Sequence, residues 1–309
     1  CNKNKFYEKN TLTIGTRGSK LALIYAEKVK NELHKIFPNE IKLKKIVTTG
    51  DQKQDQRLSD IGGKGLFAEQ IEKELLNEDI DIAVHALKDM PTIETESLLT
   101  NNFLKRNSPN EILISKNNTK FEDLAPDSII GTSSFRREFQ LKKKRSDLKY
   151  KLIRGNVDTR IQKLENGEFD AILLSKAGID SLKLQNKITQ EFSVDELIPC
   201  AGQGIIAIQC KKNDSDIIDL LEKINDIESR IVANAEREVL KVLEGDCDTA
   251  VGVFAKITGE NVDLVTELFS VDGKMRYFIR ETVKKDKIET VSRMIGEKLK
   301  LQSKGSYKN

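Results

Sequence analysis

Asp81-Ile82-Ala83-Val84-His85-Ala86-Leu87-Lys88-Asp89-Met90-Pro91 is an apolar run that ends in an adjacent ammonium and carboxylate, then a proline. It reads as a buried strand that delivers charge to its exit, and in α/β sheets ligands bind at such exits. Taken alone, Lys88 and Asp89 read more readily as a solvated strand end. Further clusters of the same kind elsewhere in the chain shift that balance.

Upstream, residues 12–16 form a short strand ending in Gly15-Thr16-Arg17-Gly18-Ser19. A helix follows, with Leu21, Ile24, Tyr25, Val29, Leu33, Ile36 and Phe37 on one face at helical spacing. Residues 41–48 read as a strand, 67–77 as a helix and 80–87 as a third strand, a βαβαβ order that predicts a mostly parallel sheet. After a polar connector at 107–118 the pattern restarts. Strands at 128–131, 150–153 and 169–174 alternate with helices at 134–145 and 157–166, which predicts a second lobe and a cleft between the two. Residues 199–211 have a Gly-rich turn and a strand suited to crossing back into the first lobe. From about 226 the character changes: a helix at 227–243, strands at 251–257, 262–269 and 275–279, an Asp272-Gly273 turn and a helix at 288–301 predict a small α+β domain. Residues 302–309 are expected to fray.

With 309 residues the chain can bury a sizeable core in two or three domains. Lys and Arg number 52 against 49 Asp and Glu, a net charge of +3 that is small for a nucleic-acid binder. Any anion site must then be a local concentration of cations. No apolar run approaches the ~20 residues of a membrane helix. Residues 1–10 are polar and lysine-rich, without the apolar core of a secretory signal, so a cytoplasmic location is expected. The four cysteines, Cys1, Cys200, Cys210 and Cys247, form no C-x-x-C pair, and only His34 and His85 supply imidazole, so neither a disulfide framework nor a metal centre is expected.

Gly62-Gly63-Lys64-Gly65 fails the phosphate-loop pattern because Leu58 stands at the first glycine and Gly65 at the Ser/Thr. It remains a plain turn or a loop offering backbone N–H groups and Lys64, next to the aromatic Phe67. Gly131-Thr132-Ser133-Ser134-Phe135-Arg136-Arg137 places hydroxyls and guanidiniums where a strand meets a helix N-terminus, which attracts anions. Arg154-Gly155-Asn156-Val157-Asp158-Thr159-Arg160 repeats the arrangement one βα unit later, and Arg17 with Ser19 has it at the first strand. One exposed pair contributes only about 0–1 kcal/mol. Three clusters at equivalent exits point instead to a ligand with several carboxylates or phosphates, which arginine's planar fork suits. Cys247, in a Glu-Gly-Asp-Cys-Asp turn, reads as an accessible thiol whose acidic flank raises its pKa.

Seven motifs in order, IGTRGS (14–19), GGKGLF (62–67), AVHALKDMP (83–91), GTSSFRR (131–137), RGNVDTR (154–160), AGQG (201–204) and EGDC (244–247), resemble the porphobilinogen deaminase family over residues 12–299. The resemblance implies an α/β fold with two periplasmic-binding-protein-like lobes joined by a hinge, plus a small C-terminal α+β domain. The implied boundaries are 6–104 plus 205–222, 105–204 and 223–309. It further implies a transferase that adds four porphobilinogen units, with loss of ammonia, to a dipyrromethane cofactor held by a thioether. Hydrolysis then releases hydroxymethylbilane, which passes to uroporphyrinogen-III synthase. On this resemblance Asp89 is the catalytic carboxylate that stabilises the azafulvene and pyrrolenine cations, and Cys247 carries the cofactor. Arg17, Ser19, Lys64, Lys88, Ser133, Arg136, Arg137, Arg154 and Arg160 bind acetate and propionate groups. Gln203 lies near the hinge and Phe67 in a lid. No metal, nucleic acid or membrane is expected, and the chain is expected to be a monomer.

Two departures stand out. Asp246 replaces a usual glycine, which strains the loop if φ there is positive. Ser181 lies where another arginine is common, with Lys183 as a substitute. A two-lobed anion-binding protein without catalysis is the alternative from another class; it needs neither Cys247 nor the third domain. A DNA-binding regulator lacks a helix-turn-helix segment.

Overall fold

The computed structural model describes residues 10–52 and 65–309; Cys1, Gly62, Gly63 and Lys64 lie outside them. The chain opens with β1 (Thr11–Arg17), α1 (Lys20–His34), β2 (Glu40–Ile46), α2 (Thr49–Gln52), α3 (Glu69–Leu76), β3 (Ile82–Ala86) and β4 (Leu98–Phe103). There follow β5 (Glu111–Ser115), β6 (Ile129–Gly131), α4 (Phe135–Lys142), β7 (Lys149–Lys151), α5 (Val157–Glu165), β8 (Ala171–Ser175), α6 (Lys176–Ser181) and β9 (Gln190–Phe192). The chain continues with β10 (Ile206–Lys211), α7 (Ser215–Glu222) and α8 (Ile227–Leu243). It closes with β11 (Val251–Thr258), β12 (Asn261–Phe269), β13 (Arg276–Lys284) and α9 (Ile288–Ser303).

One compact unit takes residues 10–52, 65–106 and 205–230 and is built on a sheet of order β2-β1-β3-β10-β4. Period-two alternation turns Leu12, Ile14, Val84, Ile206 and Ile208 towards Val29 and Leu33 of α1 and Leu220 and Leu221 of α7. The other face packs Ala83 against Ile71 and Leu75 of α3. Each such side chain contributes roughly 1.5–3 kcal/mol on burial.

The second unit takes 107–204 and 231–309. Its larger sheet has the order β7-β6-β8-β5-β9, and its smaller one β11-β12-β13. The smaller sheet is fastened to the larger by apolar contact of Phe139 with Ala250 and Phe269, and of Ile198 with Phe254 and Val265. Glu236 of α8 adds a buried clasp, accepting Gly202 N at 2.8 Å and Ala255 N at 2.9 Å.

Three expectations are corrected. The sheets are mixed rather than mostly parallel. β1 pairs in parallel with β2 and β3, but β10 runs antiparallel to β3 and β4, and β5 antiparallel to β8 and β9. β10 and β5 each enter a sheet after a crossing, not through a βαβ crossover, so nothing forces them parallel. The supposed polar connector 107–118 contains β5, buried along its whole length; its acidic first residue disguised it. The tail does not fray. Tyr307 is buried, and its hydroxyl donates to Leu243 O at 3.0 Å.

Within the second unit Asn107 N donates to Gly204 O at 2.8 Å. Gly204 has φ +83°, and a Cβ there would sit 2.7 Å from Asn107 O, so only glycine fits.

Candidate functional site

In the first unit the parallel register Ile14↔Ile82 and Gly15↔Ala83 brings the exits of β1 and β3 to one edge. β3 tightens after Ala86 into a single 3-10 turn, Leu87–Asp89, closed by Met90 N donating to Leu87 O at 3.1 Å. Leu87 is buried and its N–H is tied to Ile205 O at 3.0 Å. That anchor leaves Lys88 exposed and Asp89 half-buried, so the two charges of the pair meet different surroundings.

Arg17 ends β1 and gives its Nε to Asp51 Oδ1 at 3.1 Å, while its guanidinium lies 3.9 Å from the Phe67 ring centroid. Gly50 makes room for that ring; a Cβ there would come 2.4 Å from Phe67 Cε1. Burial pushes Asp51 up, but the hydrogen bond and charge of Arg17, with the bonds to Thr48, outweigh it and hold the carboxyl below the usual range. Ser19 caps α1, its Oγ accepting Ala22 N at 3.2 Å. Lys64, assigned to the same loop as Phe67, lies outside the described residues.

Beneath this edge lies a buried relay that the sequence reading missed. Thr95 Oγ1 donates to Glu72 Oε1 at 3.0 Å, and Gln209 Nε2 to Glu72 Oε2 at 2.7 Å. The Gln209 carbonyl is thereby turned to His85 Nε2, 2.9 Å away. His85 accordingly carries its proton on Nε2 and keeps Nδ1 as an acceptor. Burial drives its pKa down to about 4, against the Gln209 bond and the field of Asp89, with Arg17 adding to the depression. A histidine on the strand and a glutamate on the apolar face of α3 were the available signals.

In the second unit, the exit of β6 leads into α4, capped by Ser134 accepting Arg137 N at 3.2 Å, with half-buried Ser133 beside it. Arg136 and Arg137 converge on fully buried Glu111: Arg136 Nη2 meets Oε1 and Arg137 Nη2 meets Oε2, both at 2.8 Å. Arg136 Nη1 donates to Ile198 O at 2.8 Å, and Arg137 Nη1 to Leu173 O at 3.3 Å. Gln203 Nε2 reaches the same carboxylate at 3.0 Å and Pro109 O at 2.7 Å. One carboxylate between two guanidiniums leaves this cluster a positive charge in excess, and the buried Arg137 Nε has no hydrogen-bond partner among the described residues. Glu111 was not singled out from the sequence, although it decides what both arginines do.

Arg154 follows β7 and is buried; Arg160 Nε donates to Gly155 O at 2.9 Å. Ser181 closes α6, and Lys183 beyond it is exposed with φ +58°. Lys176, at the exit of β8, pairs with Asp180 at 2.8 Å; sequence reasoning passed it over.

Cys247 is exposed, whereas Cys210 is buried. The turn before it is made by Glu244 at φ +52°, with Gly245 N donating to Leu240 O at 3.0 Å, so Asp246 is not left-handed and the anticipated strain is absent. Instead Asp246 Oδ1 accepts Asp248 N at 2.9 Å and brackets the cysteine. Partial desolvation, then Asp248 and Asp246, push the thiol up to about 11, opposed by the charge of Arg154.

The described residues thus present cationic strand exits on mixed α/β sheets and an exposed thiol on a short loop. A family model described as porphobilinogen deaminase, dipyromethane cofactor binding domain, matches residues 12–219, and one for the porphobilinogen deaminase C-terminal domain matches 231–301. Porphobilinogen deaminase of Exiguobacterium sibiricum is 42% identical over 274 residues, 88% of this chain and 89% of that one. Those of Nitrobacter hamburgensis and Bacillus subtilis are 41% and 40% identical, covering 86% and 88% of this chain and 85% and 87% of theirs. Among solved structures, the Bordetella pertussis BvgS periplasmic VFT2 domain gives a TM-score of 0.45 at 12% identity, covering 75% of this chain and 95% of that one. An ancestral arginine-binding protein gives 0.40 at 18%, covering 70% and 91%.

The chain belongs to the porphobilinogen deaminase family, enzymes of tetrapyrrole synthesis with a dipyrromethane cofactor. The residues present fit that group: the exposed Cys247 thiol can form the thioether, and the buried Arg137 Nε has no hydrogen-bond partner among the described residues.

Proposed function

We propose that the chain is a transferase that joins four porphobilinogen molecules head to tail on a dipyrromethane held by Cys247, then releases hydroxymethylbilane by hydrolysis. When bound, the dipyrromethane supplies the pyrrole carbon on which the product grows. At each addition a C–C bond replaces the substrate's aminomethyl C–N bond and ammonia leaves. Asp89 is the anion that steadies the positive charge developing on the substrate and holds the proton that moves. Its half-buried seat matters, because at an effective dielectric near 20 a contact at ~4 Å is worth ~4 kcal/mol.

Lys88, Arg17, Arg137, Arg154 and Arg160 take the carboxylates of substrate and product. Arg136 and Gln203 act through Glu111, Ser19 and Ser133 shape the two helix starts, Lys64 is a further carboxylate binder, and Phe67 belongs to the lid. The same reading keeps three domains, 6–104 with 205–222, 105–204 and 223–309. It makes the protein a cytoplasmic monomer whose product is consumed by uroporphyrinogen-III synthase.

The observation that carries it is the exposed Cys247 thiol on the short loop that follows α8. Intact-mass measurement of protein from cells that make porphobilinogen is expected to show an adduct of two pyrrole units, lost in Cys247→Ala. Asp89→Asn is expected to keep the adduct and slow chain extension at least ~100-fold. An unmodified, inactive parent would sink the attachment, and near-parental turnover of Asp89→Asn would remove Asp89 from the chemistry.

A further inference from the structure

The C-terminal tail returns to the end of the helix that presents Cys247. α9 stops at Lys304, whose φ of +50° turns the chain back, and Val271 N then donates to Ser306 O at 2.9 Å. The next two residues grip α8. Tyr307 Oη donates to Leu243 O, the last carbonyl of the helix, at 3.0 Å, and Lys308 Nζ lies 2.9 Å from Glu244 Oε2. Glu244 is the residue that must adopt a left-handed conformation for the chain to turn into Gly245-Asp246-Cys247. Helices usually place glycine there, because a side chain disfavours positive φ. The charge of Lys308 also reaches Asp246, which brackets the thiol.

We propose that Tyr307 and Lys308 are positioning residues that fix the Cys247 loop for cofactor attachment, compensating for the missing glycine at position 244. The inference rests on Cys247 being the attachment point. In that attachment the Sγ–C bond forms, the aminomethyl C–N bond of a porphobilinogen breaks, and the thiol proton leaves with the amine as ammonia. The two contacts differ in weight. Tyr307 is buried, and its hydrogen bond matters about fivefold; the Lys308–Glu244 pair is exposed and matters about twofold.

The test uses full-length apoprotein made in cells that cannot synthesise porphobilinogen. Porphobilinogen is added and the cofactor-bearing mass is followed in time. Tyr307→Phe/Lys308→Met is expected to load about tenfold more slowly than the parent, and adding Glu244→Gly to that pair should restore loading to within about twofold. All variants are assayed well below their thermal midpoints, where the folded fraction is unchanged, so a slower or rescued loading rate reports the positioning role. Parental loading by the double variant, or slow loading that persists in the triple variant, overturns the proposal. Loading of Cys247→Ala in the same assay would instead overturn the attachment reading beneath it.

Discussion

Arg17 at the exit of β1 and Arg136 at the exit of β6 come from nearly the same sequence, Gly-Thr-Arg and Gly-Thr-Ser-Ser-Phe-Arg, yet sit in opposite physical states. The Arg17 side chain is 20% exposed and its partner Asp51 22%, with an aromatic ring over the guanidinium. Arg136 is 5% exposed and Glu111 not at all. The first pair can exchange its carboxylate for another without unfolding anything. The second is part of the core. The lesson is that a place after a strand does not say whether an arginine can exchange its protein carboxylate for another; the exposure of that partner does.

The largest effect expected from that contrast is on Glu111. Removing the charge in Glu111→Gln leaves two buried guanidiniums without an anion, and breaking a buried ion pair from one side costs about 3–5 kcal/mol. The thermal midpoint should fall by roughly 10 °C in a melt at neutral pH. A drop of only a degree or two would mean that water or another anion reaches Arg136 and Arg137, and the two exits would then be alike.

The next effect concerns pH. His85 has its pKa lowered from the ordinary 6.5 to about 4, chiefly by burial. Between those values the unfolded chain binds the proton and the folded one does not. Stability from this residue is therefore intact above pH 6.5 and is lost as pH falls towards 4, by roughly 3 kcal/mol in all. Urea midpoints at pH 7, 5.5 and 4.5 should show the decline, and His85→Gln should flatten part of it. A variant with the parental pH slope would show that carboxylates elsewhere set the acid limit.

Much of this was legible from spacing alone. β1, α1, β3, α8, β11 and β12 lie within a few residues of where their apolar pattern puts them, whereas β13, expected over 275–279, runs Arg276–Lys284 with no buried face. β5 escaped because Glu111, the residue that closes the arginine cluster, made a buried strand look polar. The tail escaped for a related reason: Gly305, Lys308 and Asn309 read as solvent-loving, while the single Tyr307 hydroxyl ties the segment down. In the site, motif residues marked the strand exits correctly as places. Which arginine is committed to a protein carboxylate depends on residues 25 or more positions away, and no local pattern carries that. The His85–Gln209–Glu72 relay is the extreme case, joining three elements through amide and imidazole groups that look unremarkable in sequence.

The smallest expected effect decides whether the opening contrast holds. Asp51→Asn removes the carboxylate beside Arg17 but keeps the side chain's shape and one acceptor oxygen. A half-exposed pair contributes about 1 kcal/mol or less, and the Phe67 ring supplies a comparable hold on the guanidinium. The folded state should therefore be nearly unaffected, with the urea midpoint close to the parent's. Arg17, no longer aimed by Asp51, should instead lose alignment towards substrate carboxylates, raising KM for porphobilinogen several-fold while kcat moves little. A stability loss on the scale of Glu111→Gln would make Arg17 a structural lock like Arg136. The part-exposed exit would then have to be sought at Lys88, the exposed cation of the strand that ends in Asp89.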